Sequence, residues 1–185
     1  MSTPSLSDPN WRRHLVLHDG GRIVFRPMSL DDELLLRDLL AHVTTEDLRL
    51  RFFDSIKEFS PQFITRLLTI DGVRSMAFVA IDEGSHEMLG VVRIYCDEVR
   101  ETGEYAILLR SDLKGRGLGW DLMQLIIEYA KAEGLSRLCG QVLCENAAML
   151  KMCRELGFEV RMDADDRGVC DVALVLAPQA GPPSG

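Results

Sequence analysis

The chain has 185 residues, 46% hydrophobic and 27% charged, an ordinary composition for one globular domain with a full-sized core. Its 29 acidic and 21 basic residues leave a formal charge of −8, which argues against a general nucleic-acid binder, whose contact face must be positive. It also lacks any run of the ~18 apolar residues that a membrane span needs.

The first segment, residues 1–12, reads as a disordered arm, since Met1 to Asn10 is Ser/Pro-rich and has no apolar signal core. A hairpin follows: two short apolar runs, Arg13 to His18 and Arg22 to Arg26, flank Asp19-Gly20-Gly21. Ser29 ahead of Asp31 and Asp32 marks a helix start, with the helix running to about Ala41. Thr44 or Thr45 caps a second helix through Glu46 to Phe53, and Ser60-Pro61 opens a third carrying Phe63, Ile64, Leu67 and Leu68 at helical spacing. Three strands are predicted next, Ser75 to Ile81, Met88 to Tyr95 and Gly103 to Leu109. A helix from Leu118 to about Glu133 is stopped by Gly134. After it come a strand over Arg137 to Leu143, a short helix over Ala147 to Leu156 capped by Asn146, and closing strands Phe158 to Met162 and Val169 to Leu176. One domain over residues 13–176 is predicted, with a flexible Pro/Gly-rich tail at 177–185. Cys96, Cys139, Cys144, Cys153 and Cys170 are odd in number, form no CxxC and lie far from the histidines. They predict reduced, mostly buried thiols in a cytoplasmic protein and no metal site.

The stretch Lys114-Gly115-Arg116-Gly117-Leu118-Gly119-Trp120, between a strand and a strongly periodic helix, is where chemistry is expected. Alternating glycines let backbone N–H groups turn the same way without a Cβ in the path. A helix starting directly after them offers unpaired N–H groups and the positive end of its dipole, a seat for a phosphate or pyrophosphate. A plain turn into a helix would use the same residues. The dinucleotide fingerprint fails, because Trp120 or Leu122 stands where its third glycine is needed, and no P-loop is present.

What remains resembles the acyl-CoA loop of the GCN5-related N-acetyltransferases (GNAT), Arg/Gln-x-x-Gly-x-Gly/Ala, with Gly117 and Gly119 in place and Lys114 at the first position. A second segment, Asn146 to Leu150 followed by Leu156-Gly157-Phe158, resembles that family's Asn-x-x-Ala/Met and Leu-Gly-Phe elements, about 30 residues further on. The element order matches the same family over about Arg22 to Leu176. The resemblance implies an α/β (α+β) GNAT fold: a mixed, mostly antiparallel central sheet flanked by helices, with strands splayed at the acetyl-CoA site. Thr45 to Phe53, Gly103 to Ile107 and Leu109 to Gly117 are similar to bacterial protein lysine acetyltransferases that modify acetyl-CoA synthetase. This implies acetyl-CoA as cosubstrate, no metal, and a protein lysine acceptor, in particular one of an acyl-CoA synthetase. A small-molecule amine acceptor, such as a polyamine or amino sugar, and a regulatory module that binds acyl-CoA without turnover are the competing readings.

Acetyl transfer to an amine needs a base, an oxyanion donor and a departing thiolate. The resemblance puts the base at Glu104, which alternation sets on one strand face with Ala106 and Leu108. A carboxylate partly withdrawn from water beside the acyl group would take a proton more readily. Backbone N–H groups near Leu108 or Leu109 are the expected oxyanion donors, because pantetheine amides can add to a splayed strand edge. Arg110, Lys114, Gly115, Arg116, Gly117, Leu118, Gly119, Trp120, Asn146 and Cys153 complete the expected coenzyme A contacts. Cys153 stands where the family often carries a tyrosine acid; a buried helix cysteine is the other reading of it. No cysteine lies in a motif that lowers its pKa, so direct attack is expected over an acyl-enzyme.

Overall fold

The computed structural model describes residues 11–176 except 18, 55 and 57; the expected arm over 1–10 and the tail over 177–185 lie outside the described residues. Strands are β1 (Arg13–Val16), β2 (Arg22–Pro27), β3 (Ser75–Asp82), β4 (Met88–Cys96), β5 (Thr102–Leu109), β6 (Arg137–Leu143), β7 (Glu159–Met162) and β8 (Val169–Val175). Helices are α1 (Glu33–Ala41), α2 (Thr45–Phe52), α3 (Pro61–Leu68), α4 (Leu118–Ala132) and α5 (Ala147–Glu155), with short 3-10 turns at Leu30–Asp32 and Ser111–Leu113. The eight strands form one sheet in the order β1-β2-β3-β4-β5-β6-β8-β7. Every pairing is antiparallel except β5 with β6. None of the described helices is long and apolar enough to cross a membrane.

Local signals fix the helix starts. The side-chain oxygens of Thr44, Ser60 and Asn146 accept hydrogen bonds from the N–H groups of Asp47, Phe63 and Met149, at 3.2, 3.1 and 3.2 Å. Each cap satisfies a donor that the first helical turn leaves unpaired. Strand alternation then divides the core in two. On one face Phe25, Phe78, Val92, Ile94, Tyr105 and Ile107 pack with α4 and α5 through Leu122, Met123, Ile126, Tyr129, Leu150 and Cys153. On the other, Val24, Ala77, Val79, Val91 and Leu108 meet α1, α2 and α3 through Leu36, Leu39, Leu40, Leu48, Ile64 and Leu67. Each fully buried Val, Leu, Ile, Phe or Met among them stabilises the fold by roughly 1.5–3 kcal/mol.

Two expectations need correction. Trp11 does not belong to a loose arm: it is 8% exposed, and its ring lies 5.8 Å from that of Phe78 and 5.2 Å from that of Tyr129. The Ser/Pro composition around it hid one core aromatic. Nor are all the thiols free. Cys144 and Cys170 are joined in a disulfide, with Cα atoms 5.3 Å apart, while Cys96, Cys139 and Cys153 are free. The register of β6 on β8 sets Val142 opposite Cys170 and Leu143 opposite Val169. Cys144, one residue past the strand, is thereby brought alongside Cys170, a proximity that spacing along the chain does not reveal.

Candidate active site

The site begins where β5 and β6 part. Their parallel pairing covers only Thr102 with Arg137, Gly103 with Leu138 and Glu104 with Cys139. Beyond it the Tyr105 ring lies against β6 at Gly140, where an added Cβ would come within 2.8 Å of a ring carbon. β5 continues through Leu109 with β4 on one side and, among the described residues, no strand on the other. Arg110 donates its N–H to Leu89 O in β4, and Glu101 O accepts from Ser136 and Arg137 on the β6 side. Alternation between these two anchors directs the N–H groups of Ile107 and Leu109 to the open edge and that of Leu108 to β4. Of the two expected oxyanion donors, the geometry therefore favours Leu109, and it adds Ile107.

A cavity of about 320 Å³ occupies the gap. Glu104 to Leu109 of β5 form one wall, Gln141 and Val142 of β6 another, and Asn146 and Met149 at the start of α5 a third. α2 closes it with Asp47, Leu50, Arg51 and Phe52. The helix ends without a glycine: Phe53 itself adopts the left-handed conformation, φ 59°, and also lines the cavity.

The glycine loop lies at the far end of β5. Gly115 (φ 80°) and Gly117 (φ 87°) hold left-handed conformations with nothing within 4 Å of an added Cβ, so conformation rather than crowding requires glycine there. Gly117 is the N-cap of α4, and the N–H groups of Leu118, Gly119 and Trp120 belong to the first turn, where intrahelical acceptors are missing. Gly119 differs: its Cβ would come within 3.1 Å of Leu109 Cδ1, a tight approach that the leucine would have to yield to. This open strand edge, cavity and helix start fit an extended amide-bearing thioester with an anionic end.

The charged residues are less uniformly placed. Lys114 lines the cavity but is ion-paired with Asp47 of α2, which also accepts a hydrogen bond from Ser111 Oγ. Burial opposes ionisation of Asp47, but these bonds outweigh it and hold its pKa below the usual carboxylate value. Arg49 pairs with Glu46 at 2.6 Å and with Glu145 at 2.8 Å, tying α2 to the turn before α5. Arg110, expected at the cofactor, is committed to Asp112 at 3.0 Å and Glu87 at 3.3 Å. Arg116 is exposed. Neither Arg110 nor Arg116 lines the cavity.

Glu104 lines the cavity and, among the described residues, has no hydrogen-bond or ion-pair partner. It is exposed, so the expected partial desolvation is not built into the free site. Cys153, in contrast, is wholly buried and outside the cavity lining. Its Sγ lies 3.1 Å from Tyr105 Oη. Burial pushes both the thiol and the phenol above their ordinary pKa values, which makes each a poorer acid.

Two arginines that the sequence reading did not single out stand near Glu104. Register sets Tyr95 opposite Glu104 and Arg93 opposite Ala106. Arg93 is 5% exposed; its Nη1 donates to Tyr95 Oη at 2.8 Å and its Nη2 to Leu67 O. Arg51 lies 4.6 Å over the Phe52 ring. Burial, and secondarily the charge of Arg93, lowers its pKa to about 10. No group of three or more His, Cys, Asp or Glu side chains among the described residues could hold a metal.

Comparison with known proteins bears on this geometry. The acetyltransferase (GNAT) domain model matches residues 22–159. The chain is 32% identical over 154 residues to an acetyltransferase of Pseudomonas aeruginosa, covering 81% of this chain and 82% of the relative. Among solved structures it is similar to the GNAT domain of PAT from S. lividans, with a TM-score of 0.82 and 25% identity over 91% of this chain and 98% of that one. It is also similar in fold to spermidine N-acetyltransferase of Vibrio cholerae, solved with CoA and spermine, with a TM-score of 0.66 and 17% identity over 83% of this chain and 95% of that one.

Proposed function

The chain belongs to the GNAT acetyltransferase family, and from that premise we propose that it acetylates a lysine ε-amine of a protein, with Glu104 as the general base. GNAT enzymes use acetyl-CoA, which supplies an activated acetyl thioester. The observation that carries the reading is the placement of Glu104: an unpaired carboxylate in the cavity beside the open edge of β5. A lysine ε-ammonium has a reference pKa near 10.4, so one in ~2,500 is neutral at pH 7. A carboxylate free of internal partners can take that proton as nitrogen attacks the acetyl carbon.

The N–H groups of Leu109 and Ile107 are the donors available to the developing oxyanion and to the amides of the cofactor arm. Backbone N–H groups from Gly115 to Trp120 are assigned to the pyrophosphate, with Asn146 and Met149 beside the arm. Lys114, whose ammonium has three donors, holds Asp47 of α2 and has donors to spare for a phosphate, so cofactor binding and the hold of the glycine loop on α2 share one residue. As the C–N bond forms and the C–S bond breaks, the thiolate leaves without help from Cys153, which lies outside the cavity, and the second proton of the amine passes to that thiolate or to water. The resemblance of Thr45 to Phe53, Gly103 to Ile107 and Leu109 to Gly117 to protein lysine acetyltransferases supports a protein acceptor, in particular an acyl-CoA synthetase.

Incubating the chain with labelled acetyl-CoA and a cell lysate tests the acceptor. Label in protein, on lysine, is expected; label confined to small molecules would transfer the assignment to a small amine.

A further inference from the structure

The two arginines beside Glu104 are not equivalent. Arg93 is fully employed, holding Tyr95 and the carbonyl of Leu67 near the end of α3. Arg51 lines both the main cavity and the recess that adjoins it beside Leu36, Leu67 and Arg93. Its guanidinium has no hydrogen bond and no ion pair among the described residues; it lies over the Phe52 ring and feels the charge of Glu104 without pairing with it. A half-buried cation with five N–H donors and a second cation nearby is a cost to the fold unless something pairs with it. Glu104 lines the same cavity but does not form that pair. Nor is Arg51 needed for the cofactor's anionic end: the glycine loop carries its own cation in Lys114 and begins beyond Leu109, five residues or roughly 17 Å of strand from Glu104, the carboxylate whose charge Arg51 feels.

We propose that Arg51 seats a carboxylate of the acceptor, carried close to the amine that Glu104 deprotonates. On a protein this is an acidic side chain beside the target lysine; on a small acceptor it would be the carboxylate of an amino acid. An outside carboxylate would complete the guanidinium by bidentate bonding and keep Arg51 from neutralising Glu104. This inference rests on the acceptor and base assigned above and names what the acceptor must carry.

Two substrate pairs test it in the full chain with acetyl-CoA. One is a peptide with Glu beside its single lysine against the same peptide with Gln; the other is Nα-acetyl-lysine against its C-terminal amide. Wild-type protein is expected to favour the charged member of at least one pair by about tenfold or more in kcat/KM, and the pair that responds identifies the source of the carboxylate. Arg51→Gln should bring that ratio to near one, and Arg51→Glu should favour a third peptide with Lys in place of Glu. A ratio within one variant is insensitive to partial loss of folded protein. Equal rates within both pairs for wild type, or a preference that survives Arg51→Gln, would overturn the carboxylate seat alone. No transfer to any of these amines would overturn the acceptor assignment and this inference with it.

Discussion

The two faces of β5 carry polar groups of opposite character. Toward α4 and α5, Tyr105 and Ile107, which also border the cavity, enter a buried apolar cluster whose hydroxyl and thiol, Tyr105 and Cys153, have found each other. Toward α2, Glu104 and Ala106 face a cavity where Glu104 and Arg51 are left without hydrogen bonds among the described residues. One strand thus feeds a finished interior and an unfinished one. A polar group that has completed its hydrogen bonds inside the fold contributes to stability. One that has not is available to a ligand, and its cost is offset only when the ligand arrives. The difference between the faces therefore predicts which substitutions act on rate and which on stability.

The largest expected effect is on the open face. Glu104→Gln is nearly isosteric and still hydrogen-bonds, but it cannot take a proton. Its kcat should fall by about 10² or more, the contribution of a positioned base, while acetyl-CoA affinity stays within about threefold of wild type. Raising the pH should recover part of the lost rate in the variant, because more of the acceptor amine is then already neutral. Steady-state kinetics across pH, with calorimetry for the cofactor, decides this. Near-full kcat at pH 7 would remove Glu104 from the role. Glu46 would be a poor successor, since Arg49 Nη2 already donates to it at 2.6 Å.

How much of this was legible in the sequence follows the same division. The glycine loop, the Asn146 cap and the apolar runs could be read because each is a local requirement: a positive φ, an unpaired helix donor, a periodic face. A buried helix position for Cys153 was readable because free cysteine behaves as a small apolar residue. Arg51 was not. It lies in a short helix rich in both charges, where a guanidinium looks solvated, and only the β4–β5 register sets Arg93 and Glu104 nearby. Lys114 was read as a phosphate contact because its neighbours in sequence are glycines; its neighbour in space is Asp47, some 67 residues away along the chain. Trp11 and the Cys144–Cys170 pair likewise depend on contacts between distant segments.

A smaller effect is expected at the glycine loop, which serves the cofactor without touching the proton transfer. Gly117→Glu adds a Cβ at a φ of 87° and a negative charge where an anion is to be bound. Acetyl-CoA affinity should fall at least tenfold, about 1.4 kcal/mol. The left-handed conformation also costs a side chain roughly 1–2 kcal/mol, so a thermal melt must accompany the calorimetry. Unchanged affinity in a folded variant would place the pyrophosphate elsewhere.

The smallest effect on rate is expected on the closed face, where it would separate the two faces most cleanly. Cys153 occupies the position at which related enzymes often carry an acid, and Tyr105 is the one hydroxyl it meets. Burial raises the pKa of both groups, so neither gives up a proton readily near neutral pH. Cys153→Ala would strand the Tyr105 hydroxyl among apolar side chains, a loss of about 1–3 kcal/mol in stability for an unsatisfied buried group. Tyr105→Phe leaves behind only a thiol, a weak donor, and should cost less, about 0.5–1.5 kcal/mol. Both variants should keep kcat within about twofold of wild type once corrected for folded fraction, as expected of groups that make no bond in the transition state. Denaturant melts and kcat measured on the same samples make the comparison direct. A folded Cys153→Ala that loses more than about tenfold in kcat, the scale of a working acid, and regains it as Cys153→Tyr would show that the closed face takes part in the chemistry after all.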